Sequence, residues 1–210
     1  MACSGPLQAA LYGPSPMQRA TRRDLLLYSA LGVLGCTRRE PPPEFGTLPP
    51  FALTSQDGKA FGSSELSGQI WAAAFFFTRC PTVCPRLTAD MKKVQELAKK
   101  ENVELRLVSI SVDPAHDTPE VLRAFARERG ADLASWTFLT GDPAVIQKTA
   151  VEGFKLALEG QPDAGAEHFG LLHGSRLVLV DRTLRIRGYF RPEEPEEQAK
   201  LVTAARDLAG

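Results

Sequence analysis

Between residues 71 and 99 the hydrophobic pattern changes period once, and the change falls at a cysteine. Trp71-Ala-Ala-Ala-Phe-Phe-Phe77 is apolar throughout and bounded by polar residues. That predicts a central β-strand covered on both faces, although periodicity alone leaves a buried helix open. The Arg79-Cys80-Pro81 that follows decides for the strand. Pro81 suits the first turn of a helix, where its missing N–H is no loss, and Leu87, Met91, Val94 and Leu97 then recur at helical spacing through Lys99. Cys80 therefore lies where a strand hands over to a helix start.

The remaining pattern alternates strands with helices. Phe51-Ala-Leu-Thr54 and the stretch to Phe61 flank Asp57-Gly58, a hairpin signal. Ser63 to Gly68 reads as a short turn. Val103 to Val112 is a second buried strand, ending in Asp113-Pro-Ala-His116-Asp117-Thr118-Pro119. That loop caps a helix from Glu120 to Arg129, stopped by Gly130, with Asp113 and Asp117 as turn and N-cap residues. Trp136 to Thr140 is a strand, and Gly141-Asp142-Pro143 opens a helix from Ala144 to Val151. Phe154 to Leu158 reads as a short strand before a polar loop, Glu159 to His168. Arg176 to Asp181 and Leu184 to Phe190 are strands joined by Arg182-Thr183, and Glu193 to Leu208 is an amphipathic closing helix. The class is an α/β sandwich around a mixed sheet with an N-terminal hairpin.

The first 50 residues follow other rules. Residues 1–16 lack periodicity, and Met17 is the expected true start. Arg22 and Arg23 precede an apolar stretch of eleven residues, Leu25 to Gly35, which spans about half a bilayer's hydrocarbon core. That is a signal region, 1–35, rather than a transmembrane helix. Val33-Leu34-Gly35-Cys36 resembles a lipobox with Cys36 as the lipidated residue, and Thr21-Arg22-Arg23-Asp24-Leu25-Leu26 resembles a twin-arginine signal without the usual Lys. An uncleaved anchor and ordinary secretion are the alternatives; each puts the domain outside the cytoplasm, membrane-anchored on the periplasmic side if Cys36 is acylated. Residues 36–50 form a proline-rich linker, leaving 51–210 as one domain.

Composition narrows the chemistry. Lys plus Arg and Asp plus Glu both number 25, for a formal charge of +0, so no nucleic-acid footprint or polybasic patch is indicated. Of the four cysteines, Cys3 and Cys36 fall in the leader region, and the domain keeps Cys80 and Cys84. One pair is too few for a disulfide-stapled scaffold and enough for one redox or metal site. At a helix start the dipole and unpaired amides favour a thiolate. If helix covers residues 80–84, the two side chains share a face one turn apart, close enough to form a disulfide or to hold one ion.

Three motifs in order then carry a resemblance: Thr78-Arg-Cys80-Pro81-Thr-Val-Cys84-Pro85, Asp113-Pro-Ala-His-Asp117-Thr-Pro119 and Trp136-Thr-Phe-Leu-Thr-Gly141. From about Phe51 to Leu208 the chain resembles the Sco family of copper-binding, thioredoxin-like (peroxiredoxin-like) proteins. The resemblance implies copper, Cu(I) or Cu(II), on Cys80, Cys84 and one distant histidine, which by position is His173. It implies help in metallating the copper centre of cytochrome c oxidase, with subunit II or a similar copper protein as partner. It also leaves room for a redox-active Cys80–Cys84 disulfide. Leu172-His173-Gly174-Ser175 departs from the family in lacking an acid before the histidine. Two sulfurs and an imidazole independently suit copper, whereas structural zinc wants a further ligand. His116 and His168 are lesser candidates for auxiliary ligands.

Three function classes compete: a metallochaperone without turnover, an extracytoplasmic thiol–disulfide oxidoreductase, and a peroxidase. Thioredoxin-type reductases place two residues between their cysteines, and here three intervene. Peroxiredoxins carry a Thr three residues before the reactive cysteine, where this chain has Phe77. Copper handling leads, and dithiol reduction follows.

Overall fold

The computed structural model describes residues 43–81, 83–156 and 176–210. The chain parts after Arg39, and every described residue belongs to the unit Glu40–Gly210. The apolar run forms β3 (Trp71–Phe76), preceded by the hairpin β1 (Ala52–Ser55) and β2 (Ala60–Gly62) and by the four-residue helix α1 (Ser63–Leu66). Gly58 holds the hairpin turn at φ +71°, a left-handed conformation that favours glycine. Then follow α2 (Val83–Lys100), β4 (Arg106–Ser111), α3 (Pro119–Glu128), β5 (Trp136–Thr140) and α4 (Pro143–Lys148). A π-helical turn (Thr149–Gly153), β6 (Leu177–Val180), β7 (Ile186–Phe190) and α5 (Pro195–Ala209) complete the order.

The seven strands form one mixed sheet in the order β2-β1-β5-β4-β3-β6-β7. The two strand–helix–strand units pair in parallel, β3 with β4 and β4 with β5, while β1, β2, β6 and β7 pair antiparallel. All six residues of β3 are buried, as its unbroken apolar run demands of a strand covered on both sides. Because side chains alternate across a strand, Ala72, Ala74 and Phe76 join one core with α2, α3 and α5. Trp71, Ala73 and Phe75 join a second with α4, the π-helical turn and Leu48. In the first core, Trp136 stacks on Phe138 with centroids 5.1 Å apart, and its Nε1 donates to Ser109 Oγ at 3.0 Å. The third sequence motif is thus a packing element.

Three local expectations change. Phe154–Leu156 is not a strand: Lys155 sits at φ +57°, and Phe154 is fully buried, edge-on to Trp71 and Phe75. Residues 157 and 158 lie outside the described residues. Ordered pairing begins before Phe51, within the expected linker. Phe45 N–H donates to Ile186 O at 2.9 Å and Leu48 N–H to Leu184 O at 2.8 Å, with Thr47 bridging Arg185. Thr118, not Asp117, caps α3, accepting from Val121 N–H at 3.4 Å. Pro119 at the first helical position makes the preceding residue the cap, and Asp117 is turned elsewhere.

Candidate functional site

Parallel strands deliver their following loops to one end of a sheet, and among the described candidates Cys80, Cys84 and His116 lie there. Cys80 lies in the turn after β3, its N–H directed to Phe77 O at 3.4 Å. Helix α2 begins only at Val83, so Pro81 stands before it and Pro85 occupies the first turn. The interval from Cys80 to Cys84 is therefore not the helical turn expected. The cysteines meet by another route: Cys84 N–H, one of the amides a helix start leaves unpaired, donates to Cys80 Sγ at 3.4 Å.

Both cysteines are reduced thiols in no disulfide, 7% and 6% exposed, among Phe76, Leu87 and Met91. These surroundings oppose the thiolate that a helix start favours. Burial pushes the Cys84 thiol up to about 12; a hydrogen bond from the Phe77 backbone works the other way, and Cys80 and the negative charge of Asp117 add to the rise. Cys84 therefore keeps its proton at neutral pH.

A pH dependence follows with a definite sign. The folded pKa exceeds the ordinary value of 9.0, so folded protein retains this proton where unfolded chain has released it. The stabilising effect is fully present below pH 9.0 and is lost as pH rises toward about 12. In urea unfolding under reductant, wild type should lose stability relative to Cys84→Ser above that lower bound, by up to about 1.4 kcal/mol per pH unit. Parallel curves would contradict the assignment.

The loop after β4 faces the cysteine turn. Arg79 Nε donates to Asp113 Oδ2 at 2.7 Å. Asp117 is fully buried and carries more. Its Oδ2 accepts Thr78 N–H at 3.0 Å and Ser111 O–H at 2.5 Å; its Oδ1 accepts Thr78 O–H at 2.5 Å and lies 3.0 Å from His116 Nδ1. Asp113, His116 and Asp117 bring one donor atom each within 4.8 Å of one another. Both carboxylates already serve protein donors, which makes this group a brace for the cysteine turn. His116 is exposed and leans on that brace rather than on the sulfurs. Sequence reasoning missed the Thr78–Asp117–Ser111 connection. The signal present was Pro119, which assigns the cap to Thr118 and frees Asp117.

His173 and His168 lie outside the described residues, as do Cys3 and Cys36. The register locates where the chain resumes. Val178 pairs with Ala73 and Val180 with Trp71, antiparallel, so β6 is entered from the end at which β3 leads to Cys80.

A model of the SCO1/SenC family matches residues 39–207. The chain belongs to the SCO1/SenC family. It is similar to a SCO1/SenC family lipoprotein from Bacillus anthracis, at 34% identity and a TM-score of 0.72 over 82% of this chain and 99% of that one. A second similar structure is BsSco, a member of the Sco family of cytochrome c oxidase assembly proteins in which a disulfide switch was identified. It is 31% identical, with a TM-score of 0.71 over 81% of this chain and 96% of that one. Bradyrhizobium japonicum ScoI, solved with copper bound, is 29% identical, with a TM-score of 0.62 over 78% and 98%. The chain spans about two thirds of the length of the first curated relatives it matches, 66% and 67%. The mixed sheet flanked by helices is the thioredoxin-like Sco fold expected from the sequence.

Proposed function

We propose that this Sco protein carries copper for assembly of the copper centre of cytochrome c oxidase, binding it through Cys80, Cys84 and His173 and passing it to subunit II or a similar copper protein. The observation that carries the reading is the contact of Cys80 Sγ with the Cys84 amide at 3.4 Å, which gathers two soft donors at one end of the sheet. The chain enters β6, a few residues after His173, from that same end. Two sulfurs and one imidazole suit low-coordinate Cu(I), or Cu(II) with one open position. Bound copper ScoI and the oxidase-assembly role of the family that includes BsSco support the same cargo and destination.

The residues divide the work. Cys80 and Cys84 supply charge and softness, and Cys84 releases its proton as the metal arrives. Apolar neighbours keep water from the sulfurs, and His173 supplies the third direction. A second reading, a thiol–disulfide oxidoreductase acting on the oxidase's copper-ligand cysteines or other disulfides, is favoured by the adjacent reduced thiols and by the disulfide switch of BsSco.

His173→Ala separates the two readings, since a reductase needs only the cysteines. It is expected to weaken Cu(II) roughly a hundredfold and Cu(I) by less than about tenfold, from the worth of one ligand in a metal site. Copper transfer to an apo-oxidase domain should fail while reduction of that domain's disulfide continues. Wild-type binding of both copper states together with wild-type delivery would make His173 structural.

The proposed setting is extracytoplasmic. Residues 1–35 act as the export signal, with a twin-arginine pair at Arg22-Arg23, Cys36 carries the lipid anchor, and the stretch from Cys36 to the first paired residue, Phe45, tethers the domain. The similar Bacillus anthracis protein is a lipoprotein, and no helix among the described residues is long and apolar enough to cross a membrane.

A further inference from the structure

Asp117 does something that its place in the sequence does not suggest. A carboxylate with no exposure is costly to bury unless its oxygens are satisfied, and here they serve a segment 39 residues away. Both the amide and the hydroxyl of Thr78 bond to it, at 3.0 and 2.5 Å, and Ser111 at the end of β4 bonds to it at 2.5 Å. Hydrogen bonds to a charged acceptor are the strong ones. Thr78 is two residues before Cys80, and between them Arg79 is held by Asp113 at 2.7 Å. The turn carrying Cys80 is thus tied down from one side by the loop after β4, while its sulfur rests on α2 at Cys84 N.

We infer that Asp117 is a positioning residue for the Cys80–Cys84 pair: by clamping Thr78 to Ser111 it holds the Cys80 sulfur beside Cys84 and raises the effective concentration of one thiol for the other. The inference rests on the preceding reading of the two cysteines as a working pair. Its consequence is redox. The two thiols and one oxidised glutathione exchange through a mixed disulfide. A Cys80–Cys84 bond and two reduced glutathione molecules result; both thiol protons and two electrons pass to glutathione. Loosening the clamp leaves the chemistry intact but separates the sulfurs, so the equilibrium shifts toward the dithiol.

The experiment equilibrates the domain with glutathione buffers and reads the disulfide fraction by thiol trapping and mass spectrometry. Asp117→Ala is expected to lower the equilibrium constant for disulfide formation about tenfold, which is close to 30 mV for a two-electron couple. Thr78→Val, which removes only the hydroxyl, should lower it about threefold, on the scale of one hydrogen bond. Asp117→Asn keeps an oxygen for the Thr78 amide and should restore most of the loss. Ile146→Ala, a core truncation on the opposite face of the sheet, should lower stability and leave the constant unchanged. Should Asp117→Ala fail to fold, Thr78→Val decides. A wild-type constant in folded Asp117→Ala, or in Thr78→Val where Asp117→Ala does not fold, would overturn the inference and leave the cysteine pair standing. A wild-type protein that forms no Cys80–Cys84 disulfide in any buffer would overturn the pair and the inference together.

Discussion

Cys80→Ala and Cys84→Ala should each abolish tight copper binding and leave a folded domain. A structural metal site of about 10–16 kcal/mol shared among its ligands makes one ligand worth roughly 3 kcal/mol, or about a hundredfold in affinity. Loss of a thiolate should reach at least that figure, because sulfur is the donor that selects copper over harder competitors. The fold should tolerate either change. Each removes a single sulfur from a core that keeps Phe76, Leu87 and Met91, at a cost of about 1 kcal/mol. Anaerobic titration against a chromophoric Cu(I) chelator measures the affinity, and circular dichroism checks the fold. Wild-type affinity in either variant would remove the cysteine from the site. A variant that unfolds would instead reveal a packing role that the near-complete burial of both residues does not require.

Oxidation should have an equally large effect without any substitution. A Cys80–Cys84 disulfide consumes both soft donors, leaving one imidazole among the proposed ligands. Reduced protein is expected to bind one equivalent of copper, and oxidised protein to bind it about ten-thousandfold more weakly, since two ligands worth about a hundredfold each are lost. Reductant should restore binding in full. Parallel titrations of the two forms, with the disulfide verified by mass, decide the matter; equal uptake would show that the cysteines are not the ligands. The result also bears on the two functional readings, because a pair that must be reduced before it can load copper links the carrier's occupancy to the redox state of its compartment.

How much of this was legible beforehand varies with how local the cause is. The unbroken apolar run at Trp71–Phe76 determined a strand covered on both sides, and the spacing of Leu87, Met91, Val94 and Leu97 determined the helix after it, since both follow from periodicity alone. Cys80 at the junction followed directly. The Asp57-Gly58 turn and the alternation of strands with helices were equally local, and they sufficed for the fold class.

What the tertiary structure decided depended on partners distant in sequence. Phe154 lies in a pattern that alternation cannot tell from a strand; only the rings of Trp71 and Phe75 show that it plugs the second core instead. The pairing of β1 with β5, and of residues 45–48 with the β6–β7 turn, has no local signature, because sheet order is chosen by which surfaces remain to be covered. A helix start near Cys80 argued for easy thiolates, yet Cys84 has its pKa raised, because burial is a property of everything packed around a residue. Asp117 shows the divide most clearly. Its neighbours in sequence mark it as part of a helix cap, while its bonds to Thr78 and Ser111 make it the brace of the cysteine turn. A carboxylate accepts from whichever donors the fold brings to it, and those donors arrive along two other strands.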